Sequence, residues 1–287
     1  MNIVIPTYMR EENQKCFNAM PDEIKKVVWL ATHTDRVAEL KKHNPTARVI
    51  DLGVTDGIAD VRQKCVDHFY KEEGSDPEVL RAIDRLMIID DSCTFKKKSE
   101  ENKLVNLDVA DWYDMFSMVS KNLEKYPMVG ISDQGGNNRV LEDVKEIGRV
   151  YSCYGVDIRF LKHNNIRFDG MYQKNKEIKL YEDFYLILSI LTAGFKNAII
   201  YKYAFNHPHG KKGGNSTVRT NALQKQCLLA LQAEFPGLVE LVKKEDPSWK
   251  AGLEDTEDFR WEARIQWQEA YKRGTAGPLS DLSSFFN

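Results

Sequence analysis

Apolar residues cluster in short runs separated by amphipathic stretches through the first third of the chain. NIVIP (2–6), KKVVWLAT (25–32) and ARVIDLG (47–53) are β-branched runs of strand length. Between the second and third, DRVAELKKH sets Val37 and Leu40 three apart, a helical spacing. TDGIADVRQKCVDHFYKE then places Ile58, Val61, Cys65 and Phe69 on one face, which predicts a helix capped by Thr55 or Asp56 and running to about Lys71. RLMIIDDSCTF follows as a strand that stops at two aspartates. Strand and helix in alternation imply an α/β fold with a parallel sheet, whose sites form at the carboxyl ends of the strands.

The pattern continues with a helix starting at Asn106 or Asp108, a strand at PMVGIS, a polar segment rich in Gly and Asn, and an extended YSCYGVDIRFL. NNIRFDG reads as a turn, YEDFYLILSILTAGF as a buried helix, and NAIIYKYAF as the last strand. From about Ser216 the texture changes. TNALQKQCLLALQAEF, PGLVELVKK and TEDFRWEARIQWQEAYKR read as three helices, the last from Trp261, Ile265 and Gln268 at helical spacing. The expected organisation is a core over residues 1–215 and a helical extension over 216–287 packed on it.

Composition changes this picture little. With 42% hydrophobic and 29% charged residues the chain reads as a soluble globular protein. No apolar run reaches the roughly 18 residues that span a bilayer, and MNIVIPTYMRE has no signal-peptide layout, so a cytoplasmic protein without a membrane partner is expected. Five cysteines, odd in number and without CxxC spacing, read as reduced structural thiols. A net charge of -2 exerts no global pull on nucleic acid, yet residues 193–233 contain no Asp or Glu while holding Lys196, Lys202, Lys211, Lys212, Arg219 and Lys225. That surplus suits either a solvated basic face or a phosphate-holding surface.

Two acidic pairs carry the candidate chemistry. Asp90 and Asp91 leave a strand at its carboxyl end, where paired carboxylates need a cation or hydrogen-bond donors, and Mg2+ or Mn2+ meets that need. A simpler role is also open to them, one capping the next turn and the other facing water. Glu182 and Asp183 precede the apolar run; acids there face the positive end of a helix dipole, worth roughly 0.3–1 kcal/mol each, or they serve a reaction. In KKGGNSTVR, Gly213 and Gly214 permit close approach to a ligand and basic residues flank them.

IVIPTYMRE, GIADVRQ, MIIDDS, FDG with YEDFYLILSILTAGF, and YAFNHPHGKKGGNS, in that order, resemble a GT-A glycosyltransferase, and more narrowly the phage-type, TET-associated glycosyltransferases of hydroxymethylated DNA pyrimidines. The resemblance spans roughly residues 1 to 216. It implies a mostly parallel GT-A sheet and transfer of a sugar from a nucleotide diphosphate, a UDP-sugar first, with Mn2+ or Mg2+ as cofactor. Pro6, Thr7, Tyr8 and Arg10 match the loop beside the nucleotide base, and Asp56 and Arg62 the helix start near the diphosphate. Asp90, Asp91 and Ser92 match the metal motif, with Asp91 as the metal ligand, Asp90 on the nucleotide sugar and Ser92 departing from the third position, and His207, or else His209, matches the later metal ligand. Lys212, Gly213 and Gly214 match the late glycine element. Asp183, with Glu182 second, matches the base that accepts the acceptor's proton. The implied acceptor is a hydroxymethylated pyrimidine in double-stranded DNA, in a host cytoplasm if phage-encoded; a surface glycan, a protein, or a non-catalytic binding role are the alternatives.

Overall fold

A computed structural model describes residues 1–70, 84–207, 219–245 and 259–276. Its elements run β1 (Asn2–Pro6), α1 (Lys15–Ala19), α2 (Asp22–Lys25), β2 (Val28–Thr32), α3 (Val37–His43), β3 (Arg48–Asp51), α4 (Ile58–Phe69), β4 (Arg85–Ile89), β5 (Thr94–Lys98), β6 (Leu104–Val105), α5 (Val109–Asn122), β7 (Met128–Asp133), β8 (Val144–Glu146) and β9 (Cys153–Asp157). They continue with α6 (Ile158–His163), α7 (Gly170–Lys174), α8 (Glu182–Thr192), β10 (Ala198–Asn206), α9 (Asn221–Glu234), β11 (Val239–Glu245), β12 (Phe259–Ile265) and α10 (Trp267–Ala276).

The main sheet has the order β3-β2-β1-β4-β9-β7-β10-β5-β6, with β8 also on β10. β1 pairs in parallel with β2 and β4, and β2 with β3. β9 inserts antiparallel between β4 and β7, which leaves β7 and β10 running the same way as β4. Six carboxyl ends, those of β1, β2, β3, β4, β7 and β10, therefore share one edge. The central strands are buried on both faces, as β1 illustrates: Val4 joins the core under α4 and α8, while Ile3 and Ile5 join the core under α1, α3 and α5. This is the mixed α/β, largely parallel architecture expected of a GT-A domain.

Local chemistry explains where elements begin. Asp108 opens α5 with a full capping box, accepting from the Asp111 backbone N–H at 2.9 Å while the Asp111 carboxylate takes the Asp108 N–H. Neither Thr55 nor Asp56 caps α4. Its N-cap is Gly57 at φ +85°, and the Asp56 carboxylate instead accepts from Lys179 at 2.5 Å and Tyr172 at 3.0 Å. The extended reading of residues 151–161 holds only to Asp157, whose side chain accepts from the Phe160 N–H and starts α6. In β10 the register shifts between Ile200 and Ala204, and the buried Asn137 amide donates to the carbonyls of Tyr201 and Tyr203 across that bulge.

The C-terminal region departs most from the sequence expectation. Residues 239–245 and 259–265, expected in helices, form the antiparallel hairpin β11–β12, and helix returns only at Trp267. Trp261 and Ile265 satisfy helical spacing, but Phe259, Trp261, Ala263 and Ile265 also alternate at period two. Pairing with Val239, Leu241 and Lys243 selects the second pattern, because cross-strand contacts stabilise a face that an isolated helix would leave exposed. Among the described residues no helix is long and apolar enough to cross a membrane.

Candidate active site

The carboxyl edge of the sheet gathers two separate networks around the end of β4. The first lies on the β1 side. Thr7 donates to Asp91 at 3.2 Å, Arg10 donates to the other Asp91 oxygen at 2.6 Å, and Gln14 donates to Thr7 at 2.6 Å and to the Arg10 carbonyl at 2.8 Å. Asp91 is buried, and burial pushes its carboxyl up while the Arg10 guanidinium opposes the rise. A cavity of about 630 Å3 opens beside this network, lined among others by Arg10, Lys15, Asp35, Arg36 and Ser92. Glu12 and Glu39 on its rim form, with His43, a group tight enough to hold an ion, and His43 lies 2.8 Å from Glu39.

The loops after β1, β2 and β3 close against one another here. Pro6 ends β1 buried against Ala31, and Tyr8 stacks on His33 with ring centroids 4.3 Å apart. His33 in turn hydrogen-bonds Thr55, and Arg36 lies over the Tyr8 ring at 5.7 Å. His33 is an edge residue that motif reading passed over, and the sequence offers Thr55 only as a helix cap. The signal available for His33 was its position alone, directly after a predicted strand.

The second network centres on Arg62. Its side chain is 5% exposed, donates to Asp90 at 3.0 Å and to Glu182, and lies over the ring of the fully buried Tyr154 at 5.4 Å. The guanidinium is thus committed to two carboxylates rather than open to a diphosphate, as the sequence suggested. Burial works against its charge, but Tyr154, Glu182 and Asp90 outweigh it and hold the pKa above the ordinary arginine value. Burial likewise pushes Glu182 up to about 7, with Arg62 opposing and Asp183 adding to the rise.

His207, at the end of β10, approaches Asp90 at 3.5 Å and Ser92 at 3.2 Å. The sequence expectation joined His207 to Asp91. Neighbouring residues leaving a strand point to opposite sides, so Asp90 faces His207 and Arg62 while Asp91 faces Thr7 and Arg10. One carboxylate and one imidazole this close are donor types that a divalent ion accepts. Lys212, Gly213 and Gly214, like His209, lie outside the described residues.

Across the site, Glu182 and Asp183 occupy the first turn of α8. Glu182 is 6% exposed and held by Arg62; Asp183 is half-buried, and one of its oxygens accepts the Phe184 N–H at 2.9 Å. The residue before them, Tyr181, sits at φ +66°, ψ +28°, a conformation costing a bulky side chain about 1–3 kcal/mol. Beside this helix start, exposed Arg149 lies over Tyr151 at 4.4 Å and Phe184 at 5.0 Å, with no carboxylate partner among the described residues. Arg149 is a further residue that sequence reading missed, because a single arginine in a polar segment carries no pattern.

No curated protein matches the sequence. Solved structures similar to it include a mannose-1-phosphate geranyltransferase from Thermus thermophilus, with a TM-score of 0.40 and 8% identity over 71% of this chain and 75% of that one. GalNAc-T7 with UDP, GalNAc and Mn2+ has a TM-score of 0.42 and 11% identity over 74% of this chain and 44% of that one. A 4-diphosphocytidyl-2C-methyl-D-erythritol synthase from Anaerococcus prevotii DSM 20548 has a TM-score of 0.39 and 10% identity over 81% and 95%. The TET-Associated Glycosyltransferase family model matches residues 1–214, most of the chain and every described residue of both networks. The chain belongs to that family and is a glycosyltransferase.

Proposed function

We propose that the enzyme moves a sugar from a nucleotide diphosphate, a UDP-sugar first, onto the hydroxyl of a hydroxymethylated pyrimidine in double-stranded DNA. The observation that supports this most is the Arg62 bridge, which ties the Asp90 side of the site to the first turn of α8 through a buried ion pair to Glu182 and a partly buried one to Asp90. Tyr8 stacked on His33 offers a base-sized aromatic platform, with Thr55 hydrogen-bonded to His33 and Arg10 beside the cavity. Asp90 and His207 would hold a divalent ion, which when bound neutralises charge on the departing diphosphate. Asp91 keeps Arg10 and the loop after β1 in place.

Asp183 accepts the hydroxyl proton as the acceptor oxygen bonds to the anomeric carbon, and the electron pair of the broken bond leaves on the diphosphate. Glu182, pinned by Arg62, is less accessible and sets the geometry of that turn. Arg149, and Arg219 close enough to influence the Tyr181 phenol, flank the α8 start with positive charge suited to backbone phosphates. A base inside a duplex must leave the stack to reach a site of this kind. Residues 1–215 form the transferase core in this reading, and 216–287 an extension packed on it.

The test uses the full chain with Mn2+, a panel of nucleotide sugars and duplexes with or without 5-hydroxymethylcytosine. Mass spectrometry of the nucleosides is expected to find one sugar added to the hydroxymethylated base alone. Release of free nucleoside diphosphate with transfer to a glycan or protein instead would move the acceptor. Asp183→Asn is expected to leave donor binding intact by calorimetry and to cut transfer about 10²–10⁴-fold; near-normal turnover would reduce Asp183 to a helix-end acid.

A further inference from the structure

The helix that carries Glu182 and Asp183 is gripped from the segment that follows the family match. At its N-terminus, the Tyr181 hydroxyl donates to the Gln224 side-chain oxygen on α9 at 3.3 Å, and Gln224 is 4% exposed. Trp267, opening α10, packs edge-on against Phe184 at 5.6 Å. At the other end of α8, Gly274 of α10 lies against the backbone of Leu191 and Gly194. A Cβ built on Gly274 would collide with the Leu191 carbonyl oxygen, so the two helices cross backbone to backbone. Residues of 219–245 and 259–276 therefore hold both ends of α8.

Tyr181 is where this grip reaches the chemistry. A glycine would adopt φ +66° without penalty, so a tyrosine there implies that its side chain does something a glycine cannot. Its ring packs on Phe184 at 5.6 Å and its hydroxyl meets Gln224, which together fix the turn from which Glu182 and Asp183 project. We propose that the C-terminal segment is a positioning element of the transfer site, acting through the Gln224–Tyr181 contact on the first turn of α8. Tyr181 and Gln224 are positioning residues: neither touches the reacting atoms, and each acts by orienting the carboxylates. This rests on the assignment of Asp183 and Glu182 to the transfer reaction.

The experiment compares Tyr181→Phe, Gln224→Leu and their double variant in the full chain, measuring kcat, donor KM and thermal melting. Each single change is expected to lower kcat about tenfold with donor KM within about twofold, since misplacement of a catalytic group acts on the rate. The double variant is expected to be no worse than either single one, because both remove the same contact. Wild-type kcat in Tyr181→Phe and Gln224→Leu, whether or not melting falls, overturns the proposal. Asp183→Asn run alongside separates the two ideas. If it turns over normally, the base assignment fails; if it is inactive while the Tyr181 and Gln224 variants match wild type, only the positioning proposal fails.

Discussion

Asp90 and Asp91 are adjacent in sequence and serve opposite sides of one site. Asp91 is enclosed by Thr7 and Arg10 from the loop after β1, contacts that reach 84 and 81 residues back along the chain. Asp90 is the meeting point of Arg62 from α4 and His207 from the end of β10, and through Arg62 it is joined to Glu182. Asp91 organises a loop; Asp90 joins elements from three parts of the fold. A pair of like charges is thus divided by the strand's alternation, and each is given its own cation.

The largest effect should come from changing Asp90. Asp90→Asn is expected to lower transfer about 10³-fold and to abolish the Mn2+ signal in calorimetry, while Asp91→Asn leaves metal binding in place and costs about 1.5–3 kcal/mol of stability from the lost Arg10 contact. Equal metal affinity in the two variants would erase the distinction. Next, Arg62→Met leaves Glu182 buried without its partner and is expected to destabilise the chain by about 3–5 kcal/mol, read from urea unfolding. A loss under about 1 kcal/mol would mean that the bridge contributes little to folding.

The smallest effect concerns pH. Burial pushes Glu182 from its ordinary 4.5 up to about 7 in the folded chain, so the folded state holds the extra proton across that interval. Stability is therefore expected to fall as pH rises from about 4.5 to about 7, by about 1–3 kcal/mol, and to level off above. Glu182→Gln should flatten that slope when unfolding is compared at about pH 5 and about pH 8; an unchanged slope would assign it to other groups.

Much of the edge that carries the site was legible in the residues. β1 to β4 and α4 follow from local periodicity, and a strand ending in two aspartates, with a helix beginning in two acids, placed both acidic pairs where the structure holds them. Legibility failed where two patterns fitted the same residues. Trp261 and Ile265 suited helix and strand alike until β11 supplied a partner. It failed also for Arg149 and His33, single residues whose roles come only from neighbours.

By itself the sequence determined β1 to β4, α3, α4, α5, β7, α8 and β10, which family the chain belongs to, and which acids stand at element ends, because hydrophobic period and end chemistry act over a few residues. Only the tertiary structure decided which charge meets which. Arg62 lies 28 residues from Asp90 and 120 from Glu182, and no local pattern records such a pairing. It is set by sheet order and by the direction in which each side chain leaves its strand or helix.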